Sequence, residues 1–188
     1  MMKTVLLALV VLLVGLPGTA LADSPTGLVV VEDAADADAT LPIDIKTAKF
    51  EAFGTDDASG WSSMSIESYE NFTYGDLAPF QRGVRNDHLL QFLVNYTNDH
   101  KGADMWFNVY DDGDYGLRLK VVDYTGGEIY YDNVSRPSDN TLIVFFPNDL
   151  VPKETYRWGV RYLRGAPDDI RAVDRAPDSG LVRVGEVG

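Results

Sequence analysis

The sequence predicts an all-β fold, an antiparallel β-sandwich of about seven to nine strands. Three observations point there. From Leu41 onward, apolar and polar residues alternate with period two over short runs. Turn-forming clusters separate those runs, among them Asp111-Asp112-Gly113-Asp114-Tyr115-Gly116 and Thr125-Gly126-Gly127. Asp and Gly supply the local hydrogen bonds and left-handed backbone that turns need. Late in the chain, Tyr156, Trp158, Val160 and Tyr162 share one strand face, while Arg157 and Arg161 lie on the other.

The first main strand starts with Ile43 and Ile45 alternating with Asp44 and Lys46, then Ala48, Phe50 and Ala52 alternating with Lys49 and Glu51. The apolar phase slips by one residue between the two sets. One extra residue in a strand produces that slip, so a β-bulge is expected near Lys46-Thr47. Residues 54–87 follow as an aromatic-rich insert. It carries Trp61, Met64, Tyr69, Phe72, Tyr74 and Phe80, and only Ser63 to Tyr69 has a strand-like pattern. Loops of such length in a compact domain are commonly functional. In the next strand Leu90, Phe92, Val94 and Tyr96 share a face. Met105 to Tyr110 is apolar or aromatic on both faces, which places it centrally and assigns Trp106, with Trp158, to the core. Leu117, Leu119 and Val121 mark a further strand. Glu128 to Asp132, a loop holding Pro137, and a strand at Thr141 to Phe146 come after it.

The segment leading into Tyr156 carries a more specific pattern, Leu150-x-Pro152-x-x-x-Tyr156. It resembles the tyrosine corner of immunoglobulin-like and fibronectin type III-like sandwiches. The resemblance covers residues 44–53 and 88–164. It implies that the Tyr156 hydroxyl hydrogen-bonds the upstream backbone and fixes the crossing between sheets. The 54–87 insert and the long hairpin region at 117–132 depart from the fibronectin pattern. The resemblance implies a fold and no activity, because this architecture hosts many functions.

The N-terminus has the three parts of a secretory signal peptide. Lys3 is followed by an apolar run, Val5 to Leu16, interrupted only by Gly15; Pro17-Gly18 breaks it, and Ala20 and Ala22 precede a cut before Asp23. The run falls well short of the roughly 20 residues that span a bilayer. Residues 1–22 are therefore expected to be removed. Residues 23–40 read as a flexible acidic linker, 41–165 as the sandwich, and 166–188 as a polar C-terminal segment with a last strand. The expected location is secreted or periplasmic, with no membrane span after signal cleavage.

The chain has 188 residues, 29 acidic against 16 basic, a net charge of −13, two histidines and no cysteine. That acidity argues against nucleic acid and anionic membrane surfaces as partners, since both demand basic patches. Without cysteine, stability rests on packing rather than disulfides. Two histidines, His88 and His100, cannot make the usual zinc sets. Gly60-Trp61-Ser62-Ser63-Met64 lacks the closing glycine of a nucleophile elbow. No catalytic or cofactor-binding residue is assigned, and the chain is read as a non-enzyme. Calcium is the one metal with a candidate: Asp111, Asp112 and Asp114 offer carboxylate oxygens in one turn, although turn chemistry also accounts for them. Three glycosylation sequons occur at Asn71, Asn95 and Asn133, with Asn95 inside a strand and so the poorest acceptor.

The expected function is a non-catalytic binding or structural module of the cell exterior, recognising protein or a surface polymer. The alternative is a carbohydrate-binding module that uses Trp61, Tyr69 and Tyr74 of the insert as its platform. A secreted hydrolase is the third reading, and no carboxylate pair is singled out for it.

Overall fold

The computed structural model describes residues 20–21, 28–35, 41–52, 61–77, 87–97, 102–147, 150, 156–165, 171–178 and 180–184. They contain thirteen strands. In chain order these are β1 (Ala20–Leu21), β2 (Leu28–Glu32), β3 (Ile45–Ala52), β4 (Trp61–Ser68), β5 (Asp87–Asn95), β6 (Met105–Asp111) and β7 (Leu117–Asp123). Then come β8 (Glu128–Tyr131), β9 (Val134–Ser138), β10 (Thr141–Pro147), β11 (Tyr156–Gly165), β12 (Arg171–Ala176) and β13 (Val182–Val184). A 3₁₀ turn lies at Tyr74–Leu77. No helix among them is long and apolar enough to cross a membrane.

The strands form two antiparallel sheets. One has six strands in the order β1-β2-β3-β4-β10-β9. The other has seven, in the order β12-β11-β5-β6-β7-β8, with β13 pairing a separate stretch of β11. The inward residues of both sheets make one core. Val31, Phe50, Met64 and Phe146 of the first meet Phe92, Phe107, Trp158 and Tyr162 of the second. Tilted rings bridge the layers, Phe107 to Phe146 at 4.8 Å and Phe50 to Trp158 at 6.0 Å between centroids. Each fully buried large apolar side chain contributes roughly 1.5–3 kcal/mol. The buried Trp158 Nε1–H has no acceptor among the described residues, a cost that the packing of its ring outweighs.

The expected bulge is present. Ile45 pairs with Ser68 and Thr47 with Glu67, so Lys46 is the extra residue of β3. This single insertion is why Ile43 and Ile45 before it, and Ala48 and Phe50 after it, are all buried. The alternation in β5 and β11 also places residues as the sequence implies, with Leu90, Phe92, Val94, Trp158, Val160 and Tyr162 inward.

Several expectations need correction. The strand count exceeds seven to nine because short edge strands carry little apolar signal. The expected linker 23–40 contains β2, whose Val29 and Val31 are buried against the core. The strand-like stretch Ser63 to Tyr69 of the 54–87 segment falls largely in β4, which pairs with both β3 and β10 and is a central strand of the sheet rather than part of an insert. Pro137 lies in β9 rather than in a loop. This is an edge strand, where a missing N–H is tolerated. The C-terminal segment supplies two strands, β12 and β13. Trp106 is on the outward face of its sheet and only half-buried, not in the core. Of the corner-like pattern, Leu150 packs against the core. Tyr156 opens β11, opposite Val184. Pro152 and the side chain of Tyr156 lie outside the described residues.

Candidate functional site

The outward face of the seven-stranded sheet follows from the register. Directly opposed residues on neighbouring strands stand about 5 Å apart and share a face. One row across this face reads Arg175, Arg161, Gln91, Asn108, Lys120 and Tyr130. The next reads Gly159, Leu93, Trp106, Val122 and Glu128. Beyond that, Arg157 faces Asn95 on one side and Arg183 on the other.

A groove of about 480 Å³ opens across these rows. Arg157 and Arg161 of β11 and Arg175 of β12 line one side, together with Gly180 and Leu181. Leu93, Asn95 and Trp106 line the other, and Gly102-Ala103 of the β5–β6 connection close an end. Gly159 makes room for this wall: a methyl group there would come within 2.9 Å of Leu181 Cδ2. Asp104 shapes the end. Its carboxylate accepts the backbone N–H of Tyr96 at 2.7 Å and of Thr97 at 2.8 Å, so it is engaged with its own hairpin. Asn95 donates its side-chain amide to the Gly102 carbonyl.

The electrostatics of the groove are set by cations without acids. Among the described residues no carboxylate lies within ion-pair distance of Arg157, Arg161 or Arg175. Arg161 Nε donates to Gln91 Oε1 at 2.8 Å, and Gln91 Nε2 donates to Asn108 Oδ1 at 2.6 Å. This chain orients the guanidinium and leaves its two Nη groups without a protein acceptor among the described residues. Burial, and then the like charge of Arg175 opposite, hold the Arg161 guanidinium below its ordinary value. The far end of the same sheet differs. Lys120 is 2.6 Å from Glu128, and Arg118 is 2.8 Å from Asp132 and 3.6 Å from Asp112.

The aromatics nominated from sequence are exposed but not assembled into one platform. Trp61, Tyr69 and Tyr74 are 41%, 40% and 50% exposed. Trp61 begins β4 and Tyr69 follows its end, so the length of an eight-residue strand separates them, on the order of 25 Å. The Tyr69 hydroxyl donates to the Asp33 carbonyl at 2.7 Å. Tyr74 lies under the Arg136 guanidinium, 5.3 Å from the ring centroid, and the same guanidinium covers Phe72. These contacts fasten the segment to the sandwich. So does Tyr162, whose hydroxyl donates to the Asp76 carbonyl at 2.8 Å.

The acidic turn is occupied by backbone. Asp111 Oδ1 accepts from Gly113 N and Asp112 Oδ1 from Tyr115 N, which is turn chemistry. Among the described residues no group of three or more His, Asp or Glu side chains is arranged to hold a metal ion. Asn71 and Asn133 are exposed and Asn95 is buried. The His88 ring lies 6.3 Å from that of Tyr162, and His100 lies outside the described residues.

A second cluster sits at the seam between the sheets. Asp33, Asp44 and Asp174 are buried. Asp174 accepts the Ile45 N–H with one oxygen and the Arg175 N–H with the other, tying β12 to β3. Burial first, then the hydrogen bond and charge of Asp178 and the charge of Asp174, push the Asp33 carboxyl up to about 8.

Sequence reasoning placed Arg157 and Arg161 on a common face but missed the groove. Arg175 and Leu181 reach it only through pairing of a segment read as a polar tail, and period two cannot say which face of a doubly apolar strand Trp106 occupies. The seam was invisible for the same reason, since Asp33 and Asp174 fall in segments read as linker and tail. No protein-family model matches this sequence, and the search of curated proteins returned no match.

Proposed function

We propose that this chain is an exported, non-catalytic binding module of the cell exterior, and that it engages its partner, a surface polymer, through the groove on the outward face of the seven-stranded sheet. The observation that carries the reading is Trp106, a half-buried indole in a groove of about 480 Å³ whose polar wall is uncompensated. Ligand sites combine such an apolar floor with a few oriented polar groups, within roughly 300–1,000 Å³. Export rests on the signal-like residues 1–22. The non-catalytic part is supported by two of the four buried carboxylates among the described residues, those of Asp104 and Asp174, which are engaged with backbone N–H groups.

An immunoglobulin-like topology belongs to this proposal. What supports it is the strand order: β3-β4-β10-β9 corresponds to A-B-E-D, and β12-β11-β5-β6 to G-F-C-C′. Tyr156 then stands at the start of strand F, where a tyrosine corner belongs.

The test is sedimentation of the exported chain with an envelope fraction of the producing cells, together with N-terminal sequencing of the product. Trp106→Ala should weaken binding at least tenfold while Trp61→Ala leaves it unchanged, and the product should begin at Asp23. Equal binding by Trp106→Ala would remove the groove from the function. Loss confined to Trp61→Ala would restore the insert platform.

A further inference from the structure

We infer that the polymer is an acidic polysaccharide, with Arg157, Arg161 and Arg175 holding its carboxylate or sulfate groups and Trp106 stacking on a sugar ring. This rests on the reading of the groove as the ligand surface, and adds the chemistry of the ligand.

Charge is the first argument. The chain carries −13, yet this groove gathers three guanidinium groups with no carboxylate at ion-pair distance among the described residues. Acids are abundant enough that every other cation of the sheet's outward face at the β7–β8 end has one. Arg161 stands directly opposite Arg175, and like charges opposed across strands are destabilising. An incoming oxyanion relieves that repulsion. The free Nη pair of Arg161, oriented by Gln91, presents the planar fork that carboxylate and sulfate oxygens fit.

Spacing is the second argument. Arg157 and Arg161 are four residues apart on one strand, which is about 13 Å of extended chain. A single small oxyanion cannot reach both. A chain with repeated charges can, and Trp106 lies in the row between them. An indole face takes the apolar side of a sugar ring.

The experiment measures binding of the exported chain to polygalacturonate, dextran sulfate, neutral dextran and poly-glutamate at two salt concentrations. Tight, salt-sensitive binding to at least one acidic polysaccharide is expected, with dextran at least tenfold weaker. Arg161→Gln should weaken it at least tenfold and Arg161→Lys by less. Arg175→Gln, at an exposed position, should do the same as Arg161→Gln and supplies the test should Arg161→Gln fail to fold. Binding of dextran as tight as of the acidic polymers, lost in Trp106→Ala, would overturn the anion assignment and leave the groove standing. Poly-glutamate binding as tightly as either acidic polysaccharide, with Trp106→Ala silent, would overturn the sugar. Acidic-polymer binding untouched by every groove variant would overturn the groove itself.

Discussion

On the outward face of the six-stranded sheet, Lys49, Ser65 and Ile143 stand in one cross-strand row and Glu51, Ser63 and Phe145 in the next. On the outward face of the seven-stranded sheet, the corresponding rows hold Arg175, Arg161, Gln91 and Asn108, then Gly159, Leu93 and Trp106. The backbone lattice is the same. On the first face a serine stands at the centre of each row, and Lys46 is matched by Glu67 at 2.6 Å. On the second, a glycine, a tryptophan and unmatched arginines open a depression. A sandwich needs only its inward rows to fold, so its outward rows are free to differ. The face that gathers unmatched charge of a single sign is the one to suspect of having a partner.

The contrast between inward and outward tryptophans can be broken most directly. Trp158→Ala should cost about 3–5 kcal/mol in a urea melt, as large-to-small core changes do, while Trp106→Ala should cost under about 1 kcal/mol. Equal costs would mean that Trp106 serves the core after all. Between the two outward faces, Gly159→Val should destabilise by about 1–3 kcal/mol because it drives a side chain into Leu181. Ser65→Val on the other face should stay within about 0.5 kcal/mol. A silent Gly159→Val would show that Leu181 does not pack there. The last effect, which depends on pH, concerns the seam. Asp33 holds its proton to about pH 8 when folded, but only to about 3.9 when unfolded. The folded state therefore binds more protons between those values, and stability falls as pH rises through that window. Asp33→Asn removes this loss. Its melting temperature should match the parent near pH 4 and exceed it increasingly as pH rises to 9. A constant difference across that range would mean that the Asp33 carboxyl is not raised in the folded state.

The bulge at Lys46 was legible because a phase slip in a period-two pattern has one cause, and the inward set of β11 because its alternation is clean. Legibility failed where a strand's place comes from its partners. Arg171–Ala176 holds one strongly apolar residue, and its Asp174 turns inward to meet the Ile45 N–H. Trp61–Ser68 buries Met64 and Ile66 among serines, too little apolar surface to announce a central strand. Leu28–Glu32 was hidden by the acid-and-alanine run behind it. For the site, Arg157, Arg161 and Trp106 were each visible, but what joins them to Arg175 is register, which a single sequence does not encode locally.

One edge of β11 is divided between two neighbours. β12 follows Val160–Arg164, and β13 follows Tyr156–Trp158. The break falls at Gly159, under Leu181. A three-residue pairing is a weak latch, and it can fray while β12 stays zipped. Each such excursion carries Leu181 away from the glycine and widens the depression. An occupant resting against Leu181 would therefore slow hydrogen exchange at the amides of Val182–Val184 and leave those of Arg171–Ala176 nearly unchanged, so that the C-terminal strand reports occupancy without touching the ligand.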